Sequence, residues 1–414
     1  MASNQRPYLC ECGKDQIYPH SMSFNPRGDM LLLVGRPRCS EKLCKSSNSH
    51  RLSEGEAMCF RVDSRMLEAA STVFRDRLLS PSSKARRLKL DKKPDGVKRD
   101  IHFPDDDPHA MRVILEIIYR RYNPSKNPPM GVQSLFNFTV LTNKYDLVSR
   151  LSCWTPWWIA AMERHWKRAV LVSDSSEDME SLAWIYWTLG HKPLYACMVL
   201  GIAFVSGQDA AHRLIDGNKE LCFTDDGGGV PAPPNLPCEV GCMRIEALRL
   251  IRNEIKLTLE SHLEDSISLP RWCTQGTGPP PRGSDRSVRQ AFVAVFEGEK
   301  LWPVPAVSDM AVSAKSLLDL FRLHPELPAF KHFAKNDGDF SCGRYGSFWS
   351  RIKHILLNTI QLQISPTSAR HLEKQSKISG VADFYSRMGV DINSDRPWSV
   401  FRIEVLQSTA FKLR

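Results

Sequence analysis

Residues 60–79 read FRVDSRMLEAASTVFRDRLL, and the rest of the chain is organised around them. Met58, Phe60 and Val62 alternate with Cys59 and Arg61. That period of two marks a strand over Ala57–Asp63 with one face buried. Asp63 or Ser64 then supplies a side-chain oxygen for the free N–H groups of a first helical turn. Leu67, Ala70, Ser71 and Phe74 follow at the i, i+3, i+4, i+7 spacing of one helical face. Ser71 starts a second short helix ending near Leu79.

Upstream, Met30–Val34 is a compact apolar run between Gly28 and Gly35, which suits a buried strand. A polar loop insertion, 36–56, separates the two strands, longer than compact domains usually carry. Residues 1–23 are polar and interrupted by prolines, and are expected to be a poorly ordered lead-in. Downstream, a basic run over Lys84–Arg99 leads to a third strand at Ile101–Phe103. Asp105, Asp106 and Asp107 precede Pro108. Asp107 is the natural helix cap, with proline at the first helical position. Met111, Ile114, Leu115 and Ile118 form that helix's apolar stripe, and a further helix runs through Leu135, Phe136, Val140 and Leu141 to Tyr145. Strand, strand, two helices, strand, helix, helix is the order of an α+β module, assigned to 24–150.

After Leu147 the pattern turns helical. A helical extension spans 151–222 and is rich in tryptophan (Trp154, Trp157, Trp158, Trp166, Trp184, Trp187). At helical spacing such residues read as core, because each buries a large apolar area. A Gly/Pro linker occupies 223–239. A helical C-terminal region, 240–390, contains a breaker at 270–287 and helices near 288–299, 307–323, 345–363 and 366–378. The tail, 391–414, carries a candidate strand at Trp398–Val405.

The chain has 414 residues, 42% of them hydrophobic and 25% charged, as in ordinary globular proteins. The start lacks the apolar core of a secretory signal, and the longest apolar run, Tyr195–Val205, is well under the ~20 residues of a membrane span. The expected setting is intracellular, nucleus or cytoplasm, where the 12 cysteines are reduced. Formal charge is +10, but 56 basic residues stand against 46 acidic ones along the whole length, a poor signature of nucleic-acid binding.

Several of these residues, in order, resemble the BTB/POZ family, and more closely the fungal BTB-domain proteins with a helical C-terminal region. They are Asp29 before its apolar strand, Phe60-x-Val62, Leu67, Ala69-Ala70-Ser71 and Phe74. Then come Asp105–Pro108 leading into Ile114-Leu115 and Ile118-Tyr119, and Asn143-Lys144-Tyr145-Asp146-Leu147. Leu151-x-x-Trp154, Trp184–Gly190 and His371-Leu372-Glu373-x-Gln375 look like the fungal group as well. The resemblance implies a small sheet flanked by short helices, with Asp29, Phe60, Val62, Leu67, Ser71, Phe74 and Tyr145 as fold-defining residues. It also implies protein–protein association: homodimers, heterodimers or capture of a partner peptide. Two departures limit it. The animal members' His-Lys is Asp63-Ser64 here. The hydrophobic-x-Glu motif common in members that recruit a cullin-type ubiquitin ligase is replaced by Ser80-Pro81-Ser82-Ser83-Lys84, so the substrate-adaptor reading is secondary.

Other chemistries compete. Cys10, Cys12, Cys39 and Cys44 are zinc-type ligands, but their pairs are too widely separated for a usual zinc motif, so scattered reduced thiols are the favoured reading. Lys84, Arg86, Arg87, Lys92 and Lys93 form a candidate targeting or anion patch. A nuclear DNA-associated regulator built on the 84–99 run is a further alternative, without interleaved aromatics or a recognisable DNA-binding module behind it. No His-Glu-x-x-His, phosphate loop or nucleophile elbow occurs, so neither an enzyme nor a cofactor is expected. The expected function is non-catalytic protein interaction.

Overall fold

A computed structural model describes residues 7–9, 15–17, 20–35, 38–39, 57–79, 96–123, 130–162, 177–216, 219–221, 231–264, 293–294, 297–298, 301–317, 364–387 and 392. The fold is mixed α+β and mostly helical. Its N-terminal strands are β1 (Pro7–Leu9), β2 (Asp15–Ile17), β3 (His20–Ser23), β4 (Met30–Val34), β5 (Arg38–Cys39) and β6 (Met58–Val62). Helices α1 (Ser64–Ala70) and α2 (Thr72–Leu79) follow, then β7 (Arg99–Phe103), α3 (Pro108–Ile118) and α4 (Val132–Lys144).

Four strands form the main sheet in the order β3-β6-β4-β7. The central pair β4 and β6 is antiparallel, whereas β3 joins β6 and β7 joins β4 in parallel. All five residues of β4 are buried, as its uninterrupted apolar run requires. In β6 every second residue is buried, which matches the alternation in the sequence. Gly28 sits where the chain enters β4. A Cβ there would lie 2.4 Å from the Val62 carbonyl oxygen, so only glycine lets the two strand ends approach. A second, smaller sheet pairs β1, β2 and β5.

A 3₁₀ turn (Val148–Leu151) and α5 (155–162) strap the module to the helical half. There Trp158 packs edge-on to Phe138 at 5.1 Å, and its Nε1 donates to Tyr122 Oη at 3.2 Å. Helices α6 (Glu177–Leu189) and α7 (Lys192–Val205) form a hairpin. Residues 193–204 of α7 are buried on every side, so α7 is the internal axis on which α6, α8 (Leu236–Glu264) and α9 (Pro366–Ile378) pack. A helix that is apolar all round belongs at such a centre. Among the described residues no helix is long and apolar enough to cross a membrane. Helix α10 (Val381–Arg387) closes the described chain apart from Ile392.

The structure corrects several expectations. Residues 1–23, expected to lack elements, hold β1, β2 and β3, and β3 belongs to the main sheet upstream of residue 24. Ser21, Met22 and Ser23 are exposed, so β3 is held by backbone pairing and leaves no apolar pattern in the sequence. The 36–56 insertion contains β5. The extension 151–222, expected to be helical, also carries three short strands, Gly207–Gln208, Leu214–Asp216 and Lys219–Glu220, in one antiparallel sheet. The 223–239 linker ends early, because α8 begins at Leu236. Pro237 occupies its first turn, where a missing N–H costs no bond, and Leu236 and Val240 are buried.

The helix expected over 307–323 is interrupted. Val307–Asp309 is a 3₁₀ turn and 314–317 is helical, while the carbonyls of Met310 and Val312 between them are taken by Arg244. Of 288–299, residues 293–294 and 297–298 are helical. The helix at 366–378 has the limits expected. The 345–363 helix, the 270–287 breaker, Trp166 and the Trp398–Val405 strand lie outside the described residues.

Candidate interaction module

The residues read as fold-defining converge on one core. Phe60, Val62, Leu67 and Phe74 are fully buried between the sheet and the helices. Asp29, at the entrance to β4, accepts from the Ser64 backbone N–H at 2.8 Å and the Ser64 hydroxyl at 2.9 Å. Partial burial alone would raise the Asp29 carboxyl, but these two donors outweigh it and hold the group below its usual range. Asp63 caps α1 by accepting from the Arg65 N–H at 3.0 Å, and its own N–H donates to Tyr119 Oη at 2.7 Å. The Asp63-Ser64 pair is therefore a capping unit locked to Asp29 and Tyr119.

Ser71 works at the junction of α1 and α2. Its N–H closes α1 onto the Leu67 carbonyl at 3.1 Å. Its Oγ accepts from the Phe74 N–H at 3.0 Å and donates to the Tyr145 carbonyl at 2.5 Å. One hydroxyl thus ends a helix, starts the next and ties both to the end of α4. Phe74 stacks on Tyr145 at 4.3 Å between ring centres, and Phe103 meets both rings edge-on. Tyr145 Oη donates to Asp106, whose side chain is almost wholly buried and also lies 2.5 Å from Lys144 Nζ. Asp107 caps α3 by accepting from the Ala110 N–H at 2.6 Å, with Pro108 in the first turn. The capping reading therefore holds at Asp107, whereas Asp106 is structural in another way, as the buried partner of Tyr145 and Lys144.

The module's outer surface carries a different message. Met22 on the edge strand β3 is 42% exposed and Met66 on α1 is 40% exposed. Sequence reasoning missed both. Met22 lies in a stretch without apolar period, and Met66 is masked by the apolar stripe of α1 beside it. A shallow surface pocket also lies beside β7, lined by Ile101, His102, Phe103, Pro104, Asp105, Asp106 and Lys144. Burial pushes the His102 imidazole below its ordinary value.

The remaining sequence candidates are not brought into this site. Lys84, Arg86, Arg87, Lys92 and Lys93 lie outside the described residues, as do Cys10, Cys12 and Cys44, while the backbone of Cys39 lies on β5. Among the described residues no group of three or more His, Cys, Asp or Glu side chains could hold a metal ion.

No protein-family model, no curated protein and no solved structure matches the chain.

Proposed function

We propose that this chain is a non-catalytic protein–protein interaction protein that acts through a BTB/POZ-like module, by homo- or heterodimerisation. The observation that carries the reading is that two large apolar side chains, Met22 on β3 and Met66 on α1, stand exposed on a module whose other large apolar side chains are mostly buried. Methionine suits a contact surface, because its flexible, polarisable chain adapts to a partner. The order of elements and the convergence of Ser71, Phe74 and Tyr145 support the resemblance on which the reading also rests. A symmetric pairing would set the same residues of two copies against one another.

Light scattering of the full chain over a dilution series tests this. The expected mass is twice that of the chain, falling to that of one chain in the Met22→Asp, Met66→Asp double variant. A single-chain mass at every concentration would overturn self-association. A dimer unaffected by the double variant would overturn the assignment of this surface.

A further inference from the structure

Helix α8 carries two thiols on its outer face. Cys238 and Cys242 stand four residues apart, both exposed and neither in a disulfide. Side chains at that spacing sit above one another on a helix surface, with Cβ atoms ~5–6 Å apart. Gly241 lies next to the pair, and a Cβ there would meet nothing within 4 Å, so the approach is open. The carboxylate of the intervening Glu239 is engaged elsewhere: it is buried and accepts from Tyr195 Oη at 2.7 Å and the Ser365 N–H at 2.9 Å. Two thiolates side by side repel, and a bridging cation removes that repulsion.

We propose that Cys238 and Cys242 form a bidentate site for a soft monovalent cation, copper(I). Soft thiolates select copper(I), whereas magnesium and calcium require oxygen ligands. Zinc asks for four ligands, and the described residues around the pair supply no third. Two-coordinate copper(I) needs no more than the two sulfurs. On binding, two S–H bonds break and two Cu–S bonds form. Both protons pass to the buffer, and the metal's oxidation state does not change. The site is independent of the interaction module.

The test is competition of the reduced full chain for copper(I) held by bicinchoninate, followed by the loss of that complex's absorbance. The unmodified chain should withdraw one more equivalent than Cys238→Ser, Cys242→Ser or the double variant, and those three should be equal. Equality is the mark of a chelate, because removing either sulfur removes the site. A double variant that loses more than either single variant would show two independent thiols and overturn the proposal, as would no loss at all. Circular dichroism monitors folding, and the corresponding alanine variants replace any serine variant that fails to fold.

Discussion

Ser71 reaches 74 residues along the chain to Tyr145, and Asp29 reaches 35 to Ser64. In the helical half the ties are longer. Ser365 to Glu239 spans 126 residues, Ser379 to Leu189 spans 190, and His191 to Tyr385 spans 194. The module therefore closes upon itself early in the chain, whereas the helical half is closed by α9 and α10, which arrive last. Closing a longer loop costs little more entropy at equilibrium, but contacts of high sequence separation slow folding. The polar atoms differ too. The module's ties gather at its helix ends and at buried Asp106. The helical half buries a cationic group, Arg244, as well as His191 and Glu239.

The strongest way to break this contrast is at Gly190, which has φ +76 and lies against α9. A Cβ there would be 2.0 Å from the Ser376 backbone nitrogen. Gly190→Ala is expected to cost about 4 kcal/mol or more, at the far end of single substitutions. Hydrogen exchange should speed up in α9 and α10 while β4 and β6 keep their protection. Equal loss of protection in both halves would show that they unfold as one unit.

Next in size is Phe74→Ala, which removes the ring stacked on Tyr145 and should cost ~3–5 kcal/mol in chemical denaturation. The exchange pattern should invert, with the module opening first.

Acid offers a subtler probe. Burial pushes His191 down to about 3, against an ordinary value near 6.5. Its Nδ1 accepts from the Leu194 N–H at 3.2 Å, so the ring is neutral with its proton on Nε2, which donates to Tyr385 Oη at 3.0 Å. Below pH 6.5 the unfolded chain takes up this proton and the folded chain does not until about pH 3. Stability therefore falls as pH drops through that window, by up to about 1.4 kcal/mol per pH unit from this group. His191→Asn keeps a capping acceptor and should flatten the slope. An unchanged slope in denaturation curves between pH 6.5 and pH 4 would assign the acid sensitivity elsewhere.

The smallest effect is expected at Ser64→Ala. It removes the hydroxyl bond to Asp29 but keeps the backbone N–H bond, and should cost ~1 kcal/mol, because Ser64 is buried while its partner Asp29 is only partly so. A thermal melt resolves a change of that size.

The same contrast explains what could be read in the sequence. The two inner strands, α1 and α2, the Asp107–Pro108 helix start and the limits of α9 were legible, because strand alternation, helical spacing and caps are local signals. The convergence of Ser71, Phe74 and Tyr145 entered through resemblance, not spacing. Strand β3 was not legible, because a strand held by backbone pairing alone needs no apolar side chain. Nor was the role of Arg244. Its guanidinium donates to the carbonyls of Ser206 at 3.0 Å, Met310 at 2.5 Å and Val312 at 2.9 Å, and backbone acceptors leave no trace in residue identity. Those bonds are also why a predicted helix is broken at 310–312.

The central position of α7 has a consequence during synthesis. Its apolar surface emerges from the ribosome complete at Val205, but the last of its packing partners, α9, begins only at Pro366. At the usual ~5–20 residues per second, that leaves α7 incompletely covered for roughly ten to thirty seconds. Through that interval the nascent chain displays a fully apolar helix, a natural client for chaperones that hold hydrophobic segments. The yield of folded protein should therefore depend on how quickly the region from 206 to 378 is translated.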